Sequence, residues 1–246
     1  MKGLPTNLCR NRLLSSVSAA VCLWTVTTAN AQEERIVATA TAALDEVMAI
    51  PAKQIPKSLL SNARGVAIIP GVVKGGLVVG VRHGRGVMLV RSDNGEWLAP
   101  RFVTITGGSV GWQAGIQSTD VILVFQTRKS VNDLMNGKLT LGVDAAAAAG
   151  PVGRQAAAAT DARLSAEILS YSRSRGLFAG VSFDGSMIQV DHLAGMAYYR
   201  QPAAHYPTSA IPQSAVTLIN RLATYSGAPL IGTTVPTTAQ TTPSPH

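Results

Sequence analysis

The sequence has 246 residues, with 21 Lys plus Arg against 13 Asp plus Glu, and so a net charge of +8. Only 14% of it is charged while 46% is apolar, enough to bury a core, which excludes wholesale disorder. Both cysteines fall within the first 22 residues, so neither a disulfide scaffold nor a cysteine-ligated zinc site is expected.

The first 31 residues read as a secretory signal. Lys2, Arg10 and Arg12 precede an uncharged apolar stretch, Leu13 to Val26, and Ala29-Asn30-Ala31 supplies the small-x-small pattern of a signal-peptidase site. The apolar stretch is too short to cross a bilayer core of roughly 30 Å as a helix. Cys22 offers an acylation site, although Val21 stands where such sites want Gly, Ala or Ser. Cleavage near Ala31 removes three basic residues and no acid, leaving 18 basic and 13 acidic residues, or +5 over 215. The mature protein is then exported, periplasmic or envelope-associated, and free of cysteine, so its stability must come from its core.

Residues 33–50 show helical periodicity. Ile36, Ala40, Ala43, Leu44, Val47 and Met48 share a face, with Glu34, Asp45 and Glu46 mostly off it. Two roles suit this helix: docking on the core, or contacting a membrane. Its acidic polar face counts against attraction to anionic lipid. Pro51 and Pro56 end it.

From Gly65 the pattern turns strand-like. Val66 to Ile69, Val72 to Val81, Gly86 to Arg91, Phe102 to Thr106 and Val121 to Gln126 are rich in β-branched residues, and Asp93-Asn94-Gly95 marks a turn. Ser130 to Asn136 predicts a short helix, and an Ala- and Gly-rich stretch from Asp144 to Ala159 is broken by Pro151. Ala166 to Tyr171 and Leu177 to Phe183 predict strands around a turn at Ser172 to Gly176, and Met187 to Val190 predicts another. A last helix is expected over Gln213 to Tyr225, before a Thr- and Pro-rich tail from 226 to 246 expected to be disordered. The links between strands are too short for repeated parallel crossovers. The expected fold is α+β, a single domain over 32–225 with a largely antiparallel, curved, barrel-like sheet and flanking helices.

Several chemical motifs are nearly complete. Gly107-Gly108-Ser109-Val110-Gly111 matches a nucleophile elbow, and His192 with an Asp would complete a hydrolase triad around Ser109. An elbow must open into a helix, however, and only Trp112 to Asp120 separate it from the next strand. No P-loop is present, and His83, His192, His205 and His246 are scattered, so no metal or other cofactor is expected. The basic residues are more suggestive. Lys74, Arg82 and Arg85 lie in the strand-rich half, Arg128 and Lys129 end a strand, and Arg173 and Arg175 alternate with serines. Such groups hold phosphate oxygens through charge-assisted hydrogen bonds. With aromatics at only 5% and no recognition motif, nucleic acid is not the expected partner.

Longer blocks carry a resemblance. Ala63-Arg64-Gly65-Val66-Ala67-Ile68-Ile69-Pro70-Gly71-Val72-Val73-Lys74-Gly75-Gly76 resembles the opening of the SYLF domain, also called the Ysc-type actin-binding domain. Gly107 to Gly115, Gln117 to Asp120, Ala149 to Arg154 and Ser170 to Val181 match further blocks of that family, and the similarity runs from about Ala38 to Tyr199. The resemblance implies lipid binding without catalysis: eukaryotic members bind phosphoinositides and, in fungi, actin filaments, and bacterial members are exported. The expected function is therefore non-enzymatic binding of anionic phospholipid at the bacterial envelope. Lys74, Arg82, Arg85, Arg128, Lys129, Arg173 and Arg175 are the candidate headgroup contacts. The alternative is a structural or protein-interaction domain with an envelope partner.

Overall fold

The computed structural model describes residues 31–51, 54–76, 79–110, 115–152, 166–174, 183, 185–200 and 211–231. The first element is helix α1, residues 31–48, whose buried positions Val37, Ala40, Ala43, Leu44 and Val47 recur three and four apart and so form one stripe. Pro56 caps a one-and-a-half-turn helix α2 (Lys57–Asn62). Four long strands follow: β1 (Gly65–Gly76), β2 (Val79–Val90), β3 (Arg101–Val110) and β4 (Gly115–Phe125).

The Val72 to Val81 run, expected as one strand, is divided between two. β1 ends at Gly76 and β2 begins at Val79, with Gly76 paired to Gly80, so the chain reverses inside the run. Adjacent glycines at 75 and 76 are the only local sign of it.

Helix α3 (Arg128–Met135) starts at Thr127, whose hydroxyl accepts the Ser130 N–H at 3.2 Å and so satisfies one of the orphan donors of the first turn. Short strands β5 (Lys138–Thr140) and β6 (Ala147–Ala149) come next, then β7 (Ile168–Ser174) and β8 (Met187–Val190). Helix α4 (His192–Tyr199) is capped by the Asp191 carboxylate, which accepts the Ala194 N–H at 3.0 Å, and α5 (Gln213–Ser226) closes the described chain. The turn expected at Ser172 to Gly176 is overturned as far as Ser174, because β7 runs straight through it. Of the strand expected at Leu177 to Phe183, all but Phe183 lies outside the described residues, as do residues 1–30 and 232–246.

The eight strands form one sheet in the order β5-β8-β3-β2-β1-β4-β7-β6, antiparallel throughout except for β6 on β7. This is the expected α+β domain with a curled, half-barrel sheet. The strands are buried on both faces, which explains why they read as continuous apolar runs rather than alternating ones. On one face Val66, Ile68, Val87, Leu89, Ile122 and Val124 pack under α1, α2, α4 and α5. On the other, Ala67, Ile69, Met88, Val103, Leu123 and Phe125 pack against Val131 and Leu134 of α3. Leu139 and Ile188 near one edge join Ile168 near the other in that second cluster, so it fills the inside of the curl.

Two backbone devices bend the central strands. The register of β1 shifts between Ile69 and Val72, where Pro70 has no N–H to give and Gly71 adopts φ +59°. The Gly71 N–H is satisfied by the buried Asp120 carboxylate at 2.8 Å. At Gly86 a Cβ would sit 2.2 Å from the Ile68 carbonyl oxygen, so glycine is what lets β2 lie against β1 there.

Candidate functional site

The strand alternation sorts the predicted basic residues onto different surfaces. Lys74 and Arg82 are cross-strand partners on β1 and β2, on the face that also carries Val72 and Met88. Arg82 is only 5% exposed: it donates to the Ser186 hydroxyl at 3.0 Å and lies 4.6 Å from the centre of the Phe183 ring. Burial lowers its guanidinium pKa, the direction desolvation imposes on a cation. A cation enclosed in this way is a structural element of the sheet, and it does not stand at a surface.

Arg85 and Arg173 lie on the opposite, helix-covered face. Arg85 is bound to Glu33 of α1 at 3.0 Å and to Asp191 at 3.3 Å, and Glu33 is itself buried. Arg173 pairs with Glu46 near the other end of α1, and Arg221 of α5 reaches Asp45 at 3.5 Å. The helix is thus pinned to the sheet and to α5 through its own carboxylates. This outcome matches the docking role for α1, with its acidic outer face partly paired. Three of its four acidic residues, Glu33, Asp45 and Glu46, are turned onto arginines.

Arg128 and Lys129 belong to neither surface. They open α3, where Arg128 pairs with Asp93 and donates to the Arg91 carbonyl at 2.9 Å. Lys129 pairs with Asp133 one turn on at 3.0 Å, and that hydrogen bond holds its ammonium pKa above the ordinary lysine value. Arg175 lies outside the described residues. The structure therefore joins Lys74 to Arg82 and does not gather the remainder into one anion site. The partners that disperse them, Glu33, Glu46, Asp191 and Ser186, are remote in sequence and gave no local signal.

The nucleophile-elbow reading fails on topology. Gly107, Gly108 and Ser109 are paired residues of β3, matched to Arg82, Val81 and Gly80 of β2, and β4 begins at Gly115. A strand-to-helix turn, which an elbow requires, is not where the motif lies. The Asp191 carboxylate beside His192 is engaged by Arg85 and the α4 N-terminus. Among the described residues no three potential ligands gather as a metal site.

One surface was not singled out by sequence. Beyond the row where Arg85 meets Glu33, two more rows of the helix-side face continue toward the hairpin end. The first is Ser118, Val73, His83 and Thr106, and the second runs through Gly75, Val81 and Gly108. Val73 is 46% and Val81 69% exposed, and His83, Gly108 and Ser118 are exposed as well. Among the described residues the helical layer stops short of this end.

Comparison with known proteins follows the same outline. A family model described as Ysc84, Las17-binding protein actin regulator, matches residues 106–223. An SH3 domain-containing protein of Schizosaccharomyces pombe is 36% identical over 184 residues, 68% of this chain and 43% of that protein. LAS seventeen-binding protein 3 of Saccharomyces cerevisiae is 38% identical over 148 residues, 59% of this chain and 32% of that protein. SH3 domain-containing YSC84-like protein 1 of Homo sapiens is 35% identical over 157 residues, 63% of this chain and 46% of that protein. The chain spans less than half the length of these relatives. With its sequence blocks and its curled sheet in agreement, the chain belongs to the Ysc84, or SYLF-domain, family.

Proposed function

We propose that this chain is an exported, non-enzymatic binding protein of the bacterial envelope that associates with anionic phospholipid surfaces. The observation that carries the reading is the pairing of acidic charge on α1 with arginines. Glu33, Asp45 and Glu46 are neutralised by Arg85, Arg221 and Arg173, so they present little negative charge to a headgroup layer. Lys74, which is half-buried, is the basic residue left to meet phosphates, a basic group near such a surface contributing on the order of 1 kcal/mol, whereas Lys129 is held by Asp133. No helix among the described residues is long and apolar enough to cross a membrane, which fits peripheral contact by side chains.

The test is co-sedimentation of the full chain with vesicles of equimolar phosphatidylglycerol and phosphatidylcholine, against phosphatidylcholine alone. Binding to the anionic vesicles that weakens as salt is raised is expected, because salt screens exposed charges. A protein that stays in the supernatant at low salt ends the lipid reading.

A second reading, an envelope protein-interaction domain, is favoured by one feature of α4. Leu193 and Met196 stand three residues apart on its outer side, 74% and 40% exposed. One relative is named for a protein that it binds, LAS seventeen, and another as containing an SH3 domain. A discrete partner retained by the wild type and lost by Leu193→Asp, with vesicles ignored, would favour this reading.

A further inference from the structure

We propose that the hairpin end of the sheet, centred on Val73 and Val81 with Lys74 on the reverse face of the same strands, is the part by which the protein meets an anionic membrane. The proposal rests on the lipid reading above and adds the place of contact, which none of the seven basic residues defines by itself.

Three observations meet at this end. The first is exposure: Val73 and Val81 are large apolar side chains left open to solvent in neighbouring rows of one sheet face, where every equivalent row further down is sealed by helices. A contiguous exposed apolar patch on a folded domain marks a contact surface. The second is charge. Residues 70–76, 79–84, 106–110 and 115–119, the described part of this end and its flanks, contain Lys74, Arg82 and His83 and not one acidic residue. The carboxylates nearest in the strands and on α1 are engaged, Asp120 by the Gly71 N–H and Glu33 by Arg85.

The third is shape. β3 and β4 flank the β1–β2 hairpin on either side, since Gly80 pairs with Ser109 and Gly76 with Gly115, so four strands advance together to the same end. A broad, apolar, acid-free end suits shallow insertion into the headgroup layer. Affinity there grows with the apolar area buried and with attraction to anionic lipid. A protein partner would more often be matched by a rim of both charge signs, and this end has only one.

The experiment uses the full chain and the equimolar phosphatidylglycerol and phosphatidylcholine vesicles named above. Val73→Asp with Val81→Asp is expected to weaken vesicle binding at least about tenfold, and Lys74→Ala about fivefold. Arg128→Ala with Lys129→Ala, on α3, should change binding less than about twofold. Neither valine is in the core, and an unchanged far-ultraviolet circular dichroism spectrum and melting temperature would confirm that the Asp variants fold. As an independent readout, Val81→Cys is labelled with an environment-sensitive fluorophore in a chain whose Cys9 and Cys22 are replaced by serine. A blue shift on adding anionic vesicles, absent with phosphatidylcholine alone, supports the proposal. Wild-type binding that survives the Asp substitutions, or a label that stays in water while the protein is bound, overturns the surface and leaves the lipid reading standing. A label already shielded without vesicles means that a second copy or residues 1–30 cover this end, and also overturns it. Absence of wild-type binding defeats both.

Discussion

Arg85 shows how one cation can organise two distant segments. It joins Glu33, 52 positions before it, to Asp191, 106 positions after it. Glu33 has a side-chain exposure of 7%, and removing its partner would leave a carboxylate in a site with little water to solvate it. Arg85→Ala is therefore expected to lower the unfolding free energy by about 2 kcal/mol, toward the low end for broken buried pairs because the arginine is partly exposed. Lys129→Ala breaks only an exposed pair one helical turn long, and should cost less than about 0.5 kcal/mol. Urea denaturation of the two variants compares these directly, and equal losses would deny Arg85 its role. The sequence showed these side chains as basic but not as occupied. Charge can be read locally, whereas its compensation depends on which segments the fold brings together.

At the scale of elements, the bulge in β1 depends on a single contact between strands. Asp120 is 6% exposed and accepts the N–H of Gly71, the residue held at φ +59°. Replacing it by alanine strands that donor, and Asp120→Ala should lose about 1 to 3 kcal/mol, with Asp120→Asn losing less because its amide oxygen still accepts. Thermal unfolding of the pair tests this, and an alanine variant as stable as the wild type would show that water serves the donor equally well. Which elements were legible follows from the same local physics. α1, α3, α5 and β8 carry clear periodicity or caps and lie close to their expected positions. The sequence around Arg173 misled because Ser170, Ser172 and Ser174 look like turn residues. Their spacing of two is that of a strand, with Tyr171 and Arg173 sent to the helix side. Helix α4 gave no signal because it is apolar nearly all round and contains Gly195.

Over the whole molecule, tyrosines tie the helical layer together and give the fold a pH limit. Tyr198 packs edge-on to Phe102 at 5.2 Å between centroids, and its hydroxyl meets that of Ser214 at 2.6 Å. Burial pushes its pKa up to about 12, and burial also raises that of Tyr171. In the unfolded chain both ionise near the ordinary tyrosine pKa of 10.0. A group whose folded pKa is raised contributes its stability fully below the unfolded pKa and loses it as pH rises toward the folded one. Stability is thus expected to hold up to about pH 10 and to fall between 10 and 12. Tyr198→Phe should flatten that fall, as read by chemical denaturation across the range. A Phe variant with the same alkaline slope would place the titration elsewhere. The sheet class and the core were legible because apolar runs dictate burial at this scale. The bare hairpin end was not, because Val73 and Val81 look in sequence like the buried valines around them. Only the extent of the helical layer distinguishes them.

The order of strands has a consequence for how anything can attach to this molecule. The two strands at the margins of the sheet, β5 and β6, are three residues each, and all longer strands have a neighbour on both sides. Residues 141–146 run directly from one margin toward the other, with Leu141 bridged to Ala145. The two margins therefore offer a foreign strand a template of only three residues each. Fibrous self-assembly through these margins, or capture of an extended peptide along them, finds little to build on. Attachment along those margins is left to side chains.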